Sequence, residues 1–175
     1  PAAIAKVRQQ ANVGVLADAI ADETFCRALV QAIGRGGEVA ADDGRIRFTP
    51  TEAYAQIAGA DVAGLEVRRG PGQSSNAVVA IGNRLFLKAY RRLGVGINPE
   101  FEVGRYLTTV ARFRHCVPVA GALEHVSADG TPTTLALLQA YVANQGDGWD
   151  YTVDYLRRSL EERGVADEAS PQELH

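Results

Sequence analysis

Two short apolar runs, Asn76 to Ile81 and Arg84 to Tyr90, are separated only by Gly82-Asn83. A Gly-Asn pair between such runs is a strong hairpin signal, because the tight turns that match strand twist need backbone conformations few other residues adopt. Alternation along the second run puts Leu85, Leu87 and Ala89 on one face, and Phe86 and Lys88 on the other. Asn98-Pro99-Glu100-Phe101-Glu102 then reads as a helix start, with Asn98 as cap and Pro99 at the first helical position. Val103, Tyr106, Leu107 and Val110 supply an apolar stripe for that helix. Val119 to Val126 and Thr133 to Val142 form a second antiparallel pair, turned by Asp129-Gly130. The order predicts an α+β fold in which a helix packs on an antiparallel sheet.

Upstream, Val15, Leu16, Ala19, Ile20, Leu29, Val30 and Ile33 recur at helical spacing, so residues 12–33 are predicted helical. Asp22-Glu23-Thr24 interrupts the run and divides it into two short helices, and Gly34-Arg35-Gly36-Gly37 ends it. Glu38 to Ala41 and Arg45 to Thr49 flank Asp42-Asp43-Gly44 as a hairpin with a solvated turn. Thr49-Pro50-Thr51-Glu52 opens a short helix to about Ala58, and Leu65 to Arg68 is a strand. Arg69-Gly70-Pro71-Gly72-Gln73-Ser74-Ser75 is the best boundary by composition. The expected division is a cap module over 1–72, a strand-rich module over 73–148, and a helix and tail over 149–175. In the last part, Trp149 to Arg163 is an amphipathic helix using Val153, Leu156 and Leu160 with Trp149 as packing anchor, and the acidic tail from Gly164 is expected to fray.

Composition narrows the function classes. At 175 residues the chain suffices for one domain or two small ones, and 46% apolar with 22% charged residues is ordinary for a soluble globular protein. A net charge of −3 argues against a nucleic-acid binder. No run of 18 apolar residues is present to span a membrane, and the first residues lack a signal-peptide layout, so a cytoplasmic location is expected. Cys26 and Cys116 lack metal-like spacing and read as free, buried thiols; His115 and His125 read as structural. The absence of methionine fits a piece of a longer protein.

Few residues are placed to carry chemistry. Lys88 offers a compact ammonium to phosphate oxygens, or else is a solvated strand-end lysine beside Arg91 and Arg92. Glu102 sits at the edge of the apolar stripe, where a carboxylate reaches a sheet beneath, or else pairs with Arg105 on the surface. Glu100 competes with it and is expected to be the more exposed. Gln73, Ser74, Ser75 and Asn76 offer amides and hydroxyls to phosphate, or form a plain turn; no Walker loop and no Gly-x-Gly-x-x-Gly is present. Gln139, Tyr141 and Val142 end a strand before the break Asn144-Gln145-Gly146-Asp147-Gly148. A strand lysine followed by a helix glutamate is how a protein-kinase-like small lobe holds ATP.

These pieces, in order, with Gly82 to Lys88, Asn98 to Leu107, Asn144 to Trp149, Phe25-Cys26-Arg27-Ala28-Leu29 and Thr49-Pro50-Thr51, resemble the bacterial maltokinases, most closely those fused to trehalose synthase. The resemblance spans residues 12–163. It implies a cap followed by a kinase-like small lobe related to aminoglycoside phosphotransferases, the large lobe being absent. It implies transfer of the terminal phosphate of ATP to the anomeric hydroxyl of maltose, giving maltose 1-phosphate for α-glucan synthesis. Lys88 is implied as the phosphate-binding lysine, Glu102 as its helix partner, Ser74, Ser75 and Asn76 as the covering loop, and Gln139, Tyr141 and Val142 as the adenine hinge. The catalytic residues and Mg²⁺ ligands belong to the large lobe, so none is expected here and the piece alone is expected to be inactive. A fused or associated trehalose synthase is an implied partner. Ser75-Asn76-Ala77, Ala140 and Gln145 depart from the family pattern, in the covering loop and the hinge. A non-catalytic kinase-like docking module is the alternative, and a kinase for another sugar or an aminosugar is a further one.

Overall fold

The computed structural model describes residues 3–70, 76–144, 146 and 148–168, with side chains to residue 163. The chain begins with a two-stranded antiparallel hairpin, β1 (Ala3–Gln9) and β2 (Asn12–Ala17), whose side chains are exposed throughout. Residues 12–17 are therefore extended and not helical as expected. Helix α1 (Glu23–Arg35) begins where the helical reading breaks: the Asp22 carboxylate accepts from the Phe25 amide at 3.0 Å. It ends at Gly36, whose φ of 69° suits glycine. Cys26, Leu29, Val30 and Ile33, one stripe at helical spacing, are buried.

The hairpin expected around Asp42-Asp43-Gly44 forms as β3 (Gly37–Ala41) and β4 (Gly44–Pro50), followed by the short helix α2 (Tyr54–Ala58) and β5 (Val67–Arg69). The central hairpin is β6 (Asn76–Ile81) and β7 (Leu85–Tyr90). Helix α3 (Pro99–Arg105) continues into a π-helical turn over Tyr106–Val110. A last hairpin, β8 (Val119–Ser127) and β9 (Pro132–Ala140), precedes α4 (Gly148–Glu168).

Strands β3 to β9 form one seven-stranded sheet in the order β3-β4-β8-β9-β7-β6-β5, antiparallel at every pairing. The fold is thus mixed α+β, with a large antiparallel sheet, a small two-stranded one and helices. Segment 70–75 joins β5 to β6, which pair in register Val67↔Ile81, so it is a connection within one sheet. Residues on both sides of position 72 share that sheet, and the compact units are 1–142 and 143–175 in place of the expected three-way division. Pairing of β4 with β8, distant in sequence, is what carries the sheet across the expected boundary.

Each face of the sheet carries an apolar cluster. Adjacent side chains on a strand point to opposite faces. Leu137 and Leu138 of β9 are both fully buried, and they belong to different apolar clusters. Leu138 packs with Leu85, Leu87, Ile81 and the α1 stripe. Leu137 packs with Val119, Ala122 and Phe101 of α3, against which Tyr90 rests. No helix among the described residues is long and apolar enough to cross a membrane. Helix α4 belongs to the second unit, where Trp149 is 76% exposed.

Candidate functional site

On β7, Leu85 and Leu87 are fully buried on the α1 side, which turns Phe86, Lys88 and Tyr90 toward the α3 side. Helix α3 is fixed at its start by Asn98, whose side-chain oxygen accepts from the Glu100 and Phe101 amides at 2.9 and 3.2 Å. Phe101 is the residue that anchors this helix in the core, at 7% exposure. Successive helical residues lie about 100° apart, so Glu100 and Glu102 project on opposite flanks of Phe101.

The flank of Glu100 faces β7. The Lys88 ammonium donates to Glu100 Oε2 at 2.6 Å, and the Tyr90 hydroxyl donates to the same oxygen at 2.8 Å. The Lys88 nitrogen also stands 5.2 Å from the centre of the Tyr90 ring, within cation–π range. The Lys88 side chain is 23% exposed and that of Glu100 39%, so the pair is accessible from solvent. Burial, followed by the hydrogen bond and charge of Glu100, pushes the Tyr90 phenol far above its ordinary range. The hydroxyl therefore remains a donor throughout neutral pH.

The helix partner of Lys88 is thus Glu100, a correction to the expected Glu102. Glu102, on the other flank, lines a separate cleft of about 330 Å³ between α3 and β4/β8, with Arg105, Thr49, Arg47 and Glu124. Arg47 donates to the nearly buried Glu124 carboxylate at 3.0 Å there. Arg105 lies 5.6 Å over the Phe101 ring.

The remaining candidates are distributed around Lys88. Asn76 pairs with Tyr90 across β6/β7, and Gln139 pairs with Phe86 across β7/β9, so both share the Lys88 face. Tyr141 lies just past β9, and its amide donates to the Arg84 carbonyl at 2.8 Å, extending the ladder. Val142 is exposed. Ser74 and Ser75, with Gln73 and Gln145, lie outside the described residues. Cys26 is buried as expected, while Cys116 is only partly so. His125 is 2.9 Å from Asp43 in an ion-pair geometry, and His115 packs edge-on to Phe113. Tyr90 was the residue missed: its position two along from a strand lysine marks a shared face. No group of three or more His, Cys, Asp or Glu side chains suited to a metal occurs among the described residues. No protein-family model matches the chain.

Proposed function

We propose that this chain is the amino-terminal part of an ATP-dependent sugar kinase of the maltokinase type, with Lys88 facing the nucleotide phosphates. The observation that carries the reading is the Lys88–Glu100 ion pair in its topological setting. Strands β5, β6 and β7 are consecutive and antiparallel; the Gly/Pro/Ser segment joins the first two, the lysine is on the third, and its glutamate is on the helix that follows. A kinase small lobe uses this arrangement, with a loop over the phosphates and a lysine held by a helix glutamate. ATP supplies the transferred phosphoryl group. Lys88 neutralises charge on its oxygens, and Glu100 fixes the ammonium. Asn76 and Gln139, on the same face, flank the lysine. Maltose as acceptor, Mg²⁺ held by a further lobe, and a trehalose synthase partner rest on the sequence resemblance.

The test is maltose-dependent ATP consumption by a parent enzyme containing this chain, with Lys88→Ala as control. Turnover that collapses in the variant supports the reading. Turnover with other sugars but not maltose moves the acceptor to another sugar or an aminosugar. Absence of turnover and of ATP binding overturns the kinase reading in favour of a docking module.

A further inference from the structure

We infer that Tyr90 is a positioning residue of the proposed phosphate site: its hydroxyl holds Glu100 in place, and Glu100 in turn fixes the Lys88 ammonium. The inference deepens the kinase reading and rests on it for its purpose, but its geometry stands apart from any nucleotide. A lysine on a four-carbon stem has many rotamers, and a first-turn glutamate on a helix flank has nearly as many. Their pairing is defined only if a third group restrains one of them. Tyr90 is placed to do so. It is two residues from Lys88 on the same face of β7, and its hydroxyl donates to the oxygen that Lys88 uses, Glu100 Oε2.

The tyrosine is itself packed in place. Its ring packs on the cluster of Phe101, Val119, Ala122 and Leu137 that seats α3 on the sheet. Donor and helix therefore share one apolar anchor. The ring also lies beneath the Lys88 nitrogen at 5.2 Å, so one side chain constrains both partners of the ion pair. Burial and the Glu100 carboxylate favour the protonated phenol, which keeps the donor in place at neutral and mildly alkaline pH.

The chain has only two lysines, Lys6 and Lys88, which makes the test clean. Lys6 lies on the exposed strand β1 and serves as internal reference. The measurement is the ratio of Lys88 to Lys6 acylation by limiting acetic anhydride at mildly alkaline pH, read by mass spectrometry on the 175-residue chain. Tyr90→Phe keeps the ring and removes only the hydroxyl. It is expected to raise the ratio about threefold, and Glu100→Gln at least as much. The double variant is expected to match Glu100→Gln alone, because both changes act through one carboxylate. A general loosening would instead raise the reactivity of both lysines together and leave their ratio unchanged. A Tyr90→Phe ratio at or below that of the native chain, or effects that add in the double variant, overturns the inference. MgATP added to the same reaction separates the two claims. If the order of reactivities holds while MgATP gives Lys88 no protection in the native chain or parent enzyme, the positioning role stands and the kinase reading falls.

Discussion

Glu100 and Glu102 are separated by one residue, share the first turn of α3, and are expected to respond differently to the same substitution. In Glu100→Gln the neutral amide replaces a carboxylate oxygen bonded to Lys88 at 2.6 Å and Tyr90 at 2.8 Å. Side-chain exposures of 23% and 39% place the ion pair near the surface, where such pairs contribute about 0.2–1 kcal/mol. The Tyr90 bond loses its charged acceptor, and a neutral bond is about half as strong, a further loss of about 0.5 kcal/mol. The sum is about 1 kcal/mol, or a fall of roughly 2–4 °C in thermal midpoint for a chain of this size. Glu102 lines the cleft with no hydrogen bond or ion pair to its carboxylate among the described residues. Both glutamates favour the helix N-terminus by a similar dipole contribution of about 0.3–1 kcal/mol, which cancels in the comparison. Glu100→Gln is therefore expected to cost about 1 kcal/mol more than Glu102→Gln in urea unfolding, and the gap should narrow in high salt as the exposed pair is screened. Equal losses, or a larger loss for Glu102→Gln, would refute the reasoning.

Cys26 is fully buried and burial raises its thiol above the ordinary value of 9.0, so the unfolded chain ionises first. Its contribution is complete below about pH 9 and declines as pH rises through the higher folded value; Cys26→Ala should flatten that alkaline decline in urea midpoints, and an unchanged slope would count against it. Asp129 is held down to about 2 by the Ser127 hydroxyl and then the Thr131 amide, which donate at 2.5 and 2.9 Å. Its contribution to the β8–β9 turn is present above about pH 4 and lost as pH falls toward 2, so protection of the Thr131 amide, relative to its intrinsic exchange rate at each pH, should fall over that window in the native chain and be low at every pH in Asp129→Ala. A Cβ at Gly121 would stand 2.6 Å from Ile33 Cγ2 and 2.7 Å from the Thr49 carbonyl, so Gly121→Ala is expected to cost about 1–3 kcal/mol in denaturant unfolding, and a neutral result would mean the α1–sheet contact yields more easily than its packing implies.

What the sequence could disclose was what local chemistry decides. Gly82 and Asn83 both adopt positive φ, 58° and 52°, and the β6–β7 hairpin formed where the dipeptide placed it. Asn98-Pro99 likewise capped α3 where expected. Residues 12–17 misled because Val15, Leu16, Ala19 and Ile20 fit a helical spacing, while the competing signal, Val13-Gly14-Val15, is only three residues long. The boundary at 72 was illegible for another reason: a Gly/Pro-rich segment looks the same whether it links domains or joins strands, and only the long-range pairing of β4 with β8 and β5 with β6 distinguishes them. The glutamate assignment failed on helix phase. Of the expected stripe Val103, Tyr106, Leu107 and Val110, Leu107 is half-buried and the other three are exposed at 53%, 56% and 67%, while Phe101, outside that stripe, is buried at 7%. The π-helical turn over Tyr106–Val110 breaks the 3.6-residue repeat, so positions counted back from it give the wrong phase. Counting instead from Phe101 places Glu100 and Glu102 on opposite flanks, but leaves undecided which flank faces the lysine. That choice is made by the position of α3 across the sheet, where Phe101 packs with Val119, Ala122 and Leu137, and Leu137 is the register partner of Lys88. Sheet register thus brings the ammonium beside the anchor of the helix, and the glutamate on the β7 side of that anchor becomes its partner.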